Sequence, residues 1–287
     1  MQALAVTAPA KINLTLRIAG KRADGYHEID SLVAFARFGD DLSLTPGDGF
    51  TLQADGPFAA ALDASNLVLE AADRAMRCGP GVRAGAFRLT KNLPVAAGLG
   101  GGSADAAAAL RLLVQANPAS ALKQEIKGIA QSLGSDVTVC LASRAAMMRG
   151  AGEQVVPLDT FPEIAAVLVN PGVALATGDV FEELGAGVLA PDFSPGIGAP
   201  VIHTLDALVA AIEACGNDLE APAIRLAPVI GEVKAALAAA PGCRIAGLSG
   251  SGATCFGIFG SQAQAQVAAT QLSSGCPDWW VQASILQ

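Results

Sequence analysis

The stretch LPVAAGLGGGSADAAAAL, residues 93–110, decides how the rest of the chain is read. Gly98, Gly100, Gly101 and Gly102 crowd together, Ser103 follows, and the chain then runs into alanines that favour a helix. Glycine loses more freedom on ordering than any other residue, so such a cluster marks backbone that turns sharply or lets something come close. Several glycine N–H groups can point into one concavity, which suits an anion. A helix starting near Ser103 would add its own unpaired N–H groups and its dipole to the same attraction. The loop therefore reads as a phosphate cradle built from backbone; the plain alternative is a tight strand–helix packing turn.

Three loop chemistries can be tested by spacing. A P-loop needs a Lys after its last glycine, and none stands here. A dinucleotide fingerprint has G-x-G-x-x-G; Gly98-x-Gly100 gives its first half, but Ser103 occupies the place of the third Gly or Ala. The nucleophile elbow G-x-S-x-G fits neither this loop nor a second small-residue stretch, GLSGSGATCF at residues 247–256. That second stretch is weak by itself and gains weight as a partner, because a triphosphate needs room.

Working outward, KINLTLRI alternates: Ile12, Leu14, Leu16 and Ile18 on one side, Lys11, Asn13, Thr15 and Arg17 on the other. This predicts one half-buried strand, followed by a turn at Asp24-Gly25. Further strands are expected at 30–37, 41–45 and 50–54, a helix over DASNLVLEAADRAMR with Asp63 or Ser65 as N-cap, and a strand at VRAGAFRLT. Beyond the glycine loop, a helix should run to about Gln115 and stop at Asn117-Pro118, with another from about Ala119 to Leu133. GSDVTVCLASRAAMMRG is ambiguous between a short helix and a strand in its first part, with a strand after it. IAAVLVN reads as an apolar strand, followed by a loop-rich region to about Pro200. Helices are expected at 203–214, 218–226 and 228–239, then a strand at 243–248, a strand TCFGIF, a helix SQAQAQVAATQL and a last strand WWVQASIL. Strands and helices mix without regular βαβ alternation, which predicts an α+β chain of two domains, 1–156 and 157–287, with the boundary near 152–162.

Composition sets the outer bounds. At 287 residues, 52% hydrophobic and 15% charged, the chain can bury real cores and is not disordered. A net charge of −8 excludes a general nucleic-acid binder, which needs a basic face. Cys78, Cys140, Cys215, Cys243, Cys255 and Cys276 form no CxxC pair and no metal-ligand spacing, so reduced thiols are expected. The start lacks a basic region ahead of its apolar residues, and the uncharged run between Arg244 and Asp278 is too rich in Gly, Ser and Gln to span a membrane. The reading is of a soluble, cytoplasmic protein.

Three stretches in order, APAKINLTLRIAGKRADGYHEIDS, LPVAAGLGGGSADAAAAL and AGLSGSGATCFGIF, resemble the GHMP kinase superfamily of galactose, homoserine, mevalonate and phosphomevalonate kinases. PAKINL with RADGYHE and the variant GLGGGSADAA are similar to the branch acting on a diphosphocytidyl-methylerythritol in the non-mevalonate isoprenoid pathway. SNLVLEAA, LGSDV and Asn217-Asp218 also fall in order, so the resemblance covers nearly the whole chain. It implies a two-domain α+β kinase fold with the active site in the inter-domain cleft. It also implies ATP with Mg²⁺, and transfer of a phosphoryl group to the 2-hydroxyl of the diphosphocytidyl substrate.

Carried onto this sequence, the resemblance places ATP against Pro94, Val95, Ala96, Ala97, Gly98, Leu99, Gly100, Gly101, Gly102, Ser103 and Ala104, its phosphates in the Gly98–Ser103 loop, with Asn66 and Lys91 as further nucleotide-side candidates. Asn66 equally suits a helix start. The catalytic pair falls on Lys11 and Asp136. A carboxylate at the acceptor hydroxyl can orient it and take its proton; a lysine can keep that carboxylate ionised and offset charge on the transferring group. Thr138 stands where the family usually has Pro. The cytidine side falls on Tyr26, His27 and Phe181, where rings offer stacking faces and His an edge to hydrogen-bond. Asn13, Asp136 and Gly250 complete the substrate side, and Ser103 would support a phosphate oxygen or Mg²⁺. His203 matches no family position and reads as a surface or helix-cap histidine. A kinase for another small alcohol would share both loops but leave Tyr26-His27 less well explained. A catalytically idle ligand-binding relative would have no use for Lys11, Asp136 and Ser103 together.

Overall fold

A computed structural model describes residues 3–62, 65–79, 81–190, 193 and 200–287. In chain order these form β1 (Leu4–Asn13), β2 (Arg17–Lys21), β3 (His27–Pro46), β4 (Phe50–Asp55), α1 (Leu67–Met76), β5 (Gly85–Thr90), α2 (Gly101–Ala116), α3 (Leu122–Leu133) and α4 (Ser135–Ala142). They continue with β6 (Ala146–Gly150), β7 (Gln154–Pro157), β8 (Ile164–Asn170), α5 (Thr177–Leu184), α6 (Leu205–Cys215), α7 (Glu220–Leu226), α8 (Val229–Ala239), β9 (Cys243–Leu248), β10 (Cys255–Phe259), α9 (Gln262–Gly275) and β11 (Trp280–Leu286). The mixed α+β class follows directly. The chain divides into two compact units whose segments interleave: Met1–Lys11, Phe38–Val95 and Gly100–Ser143 in the first; Ile12–Arg37, Ala96–Leu99 and Arg144–Gln287 in the second.

In the first unit the end of β3 runs antiparallel to β5, from Asp41 opposite Thr90 to Pro46 opposite Gly85, and β4 lies parallel on the other side of β5. Helix α1 buries Val68, Ala71, Ala72 and Ala75, the i, i+3, i+4, i+7 stripe of an amphipathic helix. Helix α2 is buried along most of its length, from Ala104 through Leu110 and again at Leu112 and Leu113. Its alanines leave little side-chain bulk, and α1 and α4 pack on it.

In the second unit β8 lies between β10 and β11, antiparallel to both, and β9 flanks β10. All seven residues of β8 and all five of β10 are buried, as an uninterrupted apolar strand requires. Val167, Val169, Cys255 and Phe259 on this sheet meet Ile230, Val233 and Leu237 of α8 and Ala265, Ala268 and Leu272 of α9 in one core. The first part of β3 pairs with β2 and β6, and β6 with β7.

Several expectations need correcting. The alternating KINLTLRI segment is not one strand: β1 begins at Leu4 and ends at Asn13, and β2 starts at Arg17. Its polar side is not solvated, since Lys11, Asn13 and Thr15 are as buried as Ile12 and Leu14; each has found a polar partner. The strands expected at 30–37 and 41–45 are the single strand β3. Gly39 lies within this strand, where a Cβ would stand 2.0 Å from the Ala8 carbonyl oxygen. Helix α1 is capped by Asn66, whose Oδ1 accepts from the Val68 N–H at 2.9 Å; Ser65 is not the cap, and Asp63 lies outside the described residues. Helix α2 starts at Gly101, two residues before Ser103. The first part of the ambiguous segment is helical, Ser135–Ala142, and α5 lies within the loop-rich region. No helix among the described residues is long and apolar enough to cross a membrane. All six cysteines are free.

Candidate active site

The first unit brings Lys11 and Asp136 together. Lys11 is on β1 and 5% exposed; Asp136 lies in the first turn of α4, behind Gly134. The Lys11 Nζ is 2.9 Å from Asp136 Oδ2, with about a third of the Asp136 side chain open to solvent. The pair packs directly on Gly100: a Cβ there would stand 3.2 Å from Lys11 Cε and 3.7 Å from Asp136 Oδ2. Gly100 also caps α2 with φ +61°, a conformation that L side chains disfavour. Gly101, Gly102 and Ser103 are therefore the first helical residues of α2, and no side chain caps their N–H groups. That is the arrangement in which a helix start receives an anion.

Two nucleotide-side candidates of this unit already have partners. The Asn66 oxygen caps α1. Lys91 is 2% exposed, its ammonium held by Asp40 and by Asp105, the latter at 2.8 Å.

The second unit joins the two small-residue loops through Ser249. Its Oγ accepts from the Asn13 N–H at 3.1 Å and donates to the Gly98 carbonyl oxygen at 2.9 Å. The Thr254 N–H donates to the Ala97 carbonyl at 3.2 Å. Gly98 has φ +74°, and a Cβ on it would stand 2.4 Å from the Ser249 carbonyl oxygen. Asn217 holds the second loop from the other side, donating to the carbonyls of Leu248 at 2.9 Å and Gly250 at 2.8 Å. Gly250 leaves room for Asn13, whose Oδ1 would lie 3.2 Å from a Cβ there, while Asn13 Nδ2 donates to Ser31 Oγ at 2.8 Å. The second loop is thus a buttress for the first.

The aromatic candidates also lie in the second unit. His27 stacks on Phe181 with ring centroids 4.5 Å apart and 26° between planes. Burial, and then the nearby Lys21, lower the His27 pKa, so the ring is neutral at pH 7 and keeps one N–H donor and one acceptor nitrogen. Tyr26 is 61% exposed, its backbone N–H tied to Asp24 Oδ1.

Along the glycine loop Val95 and Ala96 are exposed, Ala96 with φ +52°, while Ala97, Leu99 and Ala104 are buried; Pro94 and Ser103 are part-buried. His203 is exposed, its Nδ1 3.0 Å from Thr160 Oγ1, and Thr204 rather than His203 caps α6. Sequence reasoning gave no role to Ser249, Asp40 or Asp105, and placed Asn217 only by its order in the resemblance. A lone carboxylate inside an alanine helix was the available signal for Asp105; Asp40 carried none. Among the described residues no group of three or more His, Cys, Asp or Glu is placed to hold a metal ion.

Comparisons with known proteins agree on one family. The family model for the GHMP kinases N terminal domain matches residues 66–144, and that for the GHMP kinases C terminal matches residues 202–278. The 4-diphosphocytidyl-2-C-methyl-D-erythritol kinase of Parvibaculum lavamentivorans is 52% identical over 281 residues, 96% of each chain. That of Bradyrhizobium diazoefficiens is 49% identical over 294 aligned positions, 100% of this chain and 99% of its own. A crystal structure of a 4-(cytidine 5′-diphospho)-2C-methyl-D-erythritol kinase matches with TM-score 0.77 at 34% identity, covering 99% of both chains. A homoserine kinase structure from Cytophaga hutchinsonii, 21% identical with TM-score 0.73 over 99% of this chain and 95% of its own, shares the fold.

Proposed function

The chain belongs to the GHMP kinase family, and from that membership we propose how it phosphorylates the 2-hydroxyl of 4-diphosphocytidyl-2-C-methyl-D-erythritol with ATP, a step of isoprenoid precursor synthesis. It is a phosphotransferase with an alcohol group as acceptor. The observation that carries the mechanism is the Lys11–Asp136 pair packed on Gly100 at the head of α2. Asp136 accepts the proton of the acceptor hydroxyl as its oxygen bonds to the γ-phosphorus. The bond from that phosphorus to the β–γ bridging oxygen breaks, and ADP leaves. Lys11 holds Asp136 in place and offsets charge on the transferring group. The N–H groups at Gly101, Gly102 and Ser103 receive phosphate oxygens, and the rest of the work is alignment.

The Ser103 hydroxyl, at the start of α2, would hold a Mg²⁺ brought in with the triphosphate. When bound, the ion would offset negative charge on the phosphates. Neutral His27 reads a pyrimidine edge, with Phe181 behind it and exposed Tyr26 as the second face for the base. Six free thiols and an ATP-dependent reaction suit a reducing, cytoplasmic setting.

The experiment is ADP release from purified protein with Mg-ATP and 4-diphosphocytidyl-2-C-methyl-D-erythritol, with homoserine and mevalonate in parallel. Release only with the cytidyl substrate is expected. Release with another alcohol instead would keep the phosphate cradle and overturn the cytidine pocket.

A further inference from the structure

Beneath the head of α2 lies a charged cluster that the phosphoryl-transfer chemistry does not use. Lys91, Asp40 and Asp105 are each at most 3% exposed at the side chain. Both carboxylates meet the one ammonium. Asp40 does more: its Oδ1 accepts from the Asn92 N–H at 2.6 Å and the Leu93 N–H at 2.8 Å, the residues that open the glycine loop. Asp105 sits in the second turn of α2, the helix that closes the loop. Lys91 joins the two, so one cluster grips the loop where it leaves β5 and where it becomes a helix. The grip is close, since a Cβ on Gly101 would stand 3.1 Å from Lys91 Nζ.

A buried ion cluster is a poor source of stability, because desolvation offsets most of the attraction. This one is also unbalanced, with two carboxylates against one ammonium. Burial, with Asp40 adding to it, pushes the Asp105 carboxyl up to about 7 against the pull of Lys91, and Asp105 Oδ1 has no hydrogen-bond partner among the described residues. Apolar side chains would fill the space at less expense. What they could not supply is a fixed direction at each end of the loop.

We propose that Asp40, Lys91 and Asp105 are positioning residues: a buried clamp that holds both ends of the glycine loop so that its N–H groups converge on the nucleotide's phosphates. The clamp rests on the reading of that loop as the phosphate cradle. Lys91 thereby acts through the loop backbone and touches no ligand.

The test uses the full-length protein with Asp105→Asn, which keeps shape and hydrogen bonding but weakens the charge contact, and Lys91→Met, which keeps the apolar stem. The first readout is amide hydrogen exchange without ligand. Residues 93–103 are expected to exchange about tenfold faster or more in both variants, with β8 and β10 unchanged. The second is steady-state kinetics: the KM for ATP is expected to rise about tenfold, and that for the cytidyl substrate by less than about twofold. Unchanged loop exchange and ATP KM in Asp105→Asn would overturn the clamp. So would faster exchange everywhere with both KM values rising together, which is plain loss of folding. If Lys91→Met does not fold, Asp105→Asn decides alone. A wild-type protein that neither binds nor turns over Mg-ATP would sink the kinase reading instead, and loop exchange would still decide whether the clamp exists.

Discussion

Lys11 Nζ stands 2.9 Å from Asp136 Oδ2, with Lys11 almost wholly buried and Asp136 partly open. The asymmetry suits a pair in which the carboxylate meets substrate and the lysine supports it from behind. Asp136→Asn removes the proton acceptor and keeps the shape. Turnover should fall by about 10²–10⁴, the usual worth of a positioned base, while Mg-ATP binding changes by less than about threefold. Calorimetric titration beside initial rates checks this; near-normal turnover would remove Asp136 from the mechanism.

Ser249 supplies the link between the small-residue loops, taking one hydrogen bond from Asn13 and giving one to Gly98. Ser249→Ala leaves both groups short of a partner in a buried place, a loss of about 1–3 kcal/mol in unfolding free energy by urea titration. Gly98→Ala should be worse. Its added methyl would collide with the Ser249 and Gly252 carbonyl oxygens at a φ that favours glycine, so soluble yield and ATP affinity should both drop. Wild-type behaviour of Gly98→Ala would mean that the two loops do not pack as closely as this.

Much of this was readable in the chain and some was not, for identifiable reasons. The glycine loop announced itself because helix-start chemistry is local: four glycines, a serine and a helix lie within a dozen residues. Tyr26-His27 and Asp136 stand out as candidates only through the resemblance, since a Tyr-His pair after a turn or an Asp at a helix start is ordinary by itself. Lys11, Asn13 and Thr15 look like the wet face of a strand, because alternation shows which side is apolar and not whether the polar side has partners. The strands expected at 30–37 and 41–45 run on as one, and a sequence does not show Ala8 passing in front of the Gly39 between them. Asn66 and Lys91 match the nucleotide side by position, yet their polar atoms meet a helix start and two buried carboxylates, contacts that spacing alone does not reveal.

His27 makes a pH prediction for substrate binding. Burial first, and Lys21 second, lower its pKa below the ordinary 6.5. The neutral ring proposed to read the cytosine edge should therefore persist as pH falls through 6.5. Affinity for cytidine 5′-diphosphate should stay flat from pH 8 to 6.5 and weaken only below. His27→Gln should abolish that acid limb while retaining part of the affinity. An acid limb centred above 6.5 would contradict a neutral His27.

Asp105 has the opposite linkage from most carboxylates. Its folded pKa is pushed up to about 7, whereas an unfolded aspartate titrates near about 3.9. Between those values the folded state holds the extra proton, so stability falls as pH rises through that window. Asp105→Asn cannot titrate. The wild type should therefore gain on the variant as pH drops from 7.5 to 5, read as the difference in urea midpoints; a difference that does not change with pH would mean Asp105 stays ionised throughout.

Thr138 gives a stability prediction from a single atom. It lies early in α4, two residues past Asp136, and its Oγ1 is buried without a hydrogen-bond partner among the described residues. A buried hydroxyl left unpaired costs about 1–3 kcal/mol. Valine has nearly the same shape and lacks the polar atom. Thr138→Val should raise the unfolding free energy by about 1 kcal/mol and leave kcat alone, since Asp136 is held by Lys11 and not by Thr138. Thr138→Pro tests the same turn differently. Proline here removes the N–H that a fourth helical residue would give to the Gly134 carbonyl, but it also stiffens the approach to Asp136. A proline variant matching the valine variant in both stability and kcat would mean that α4 needs neither this N–H nor this hydroxyl. A destabilised valine variant would mean that Oγ1 has a partner after all, a bound water being the simplest.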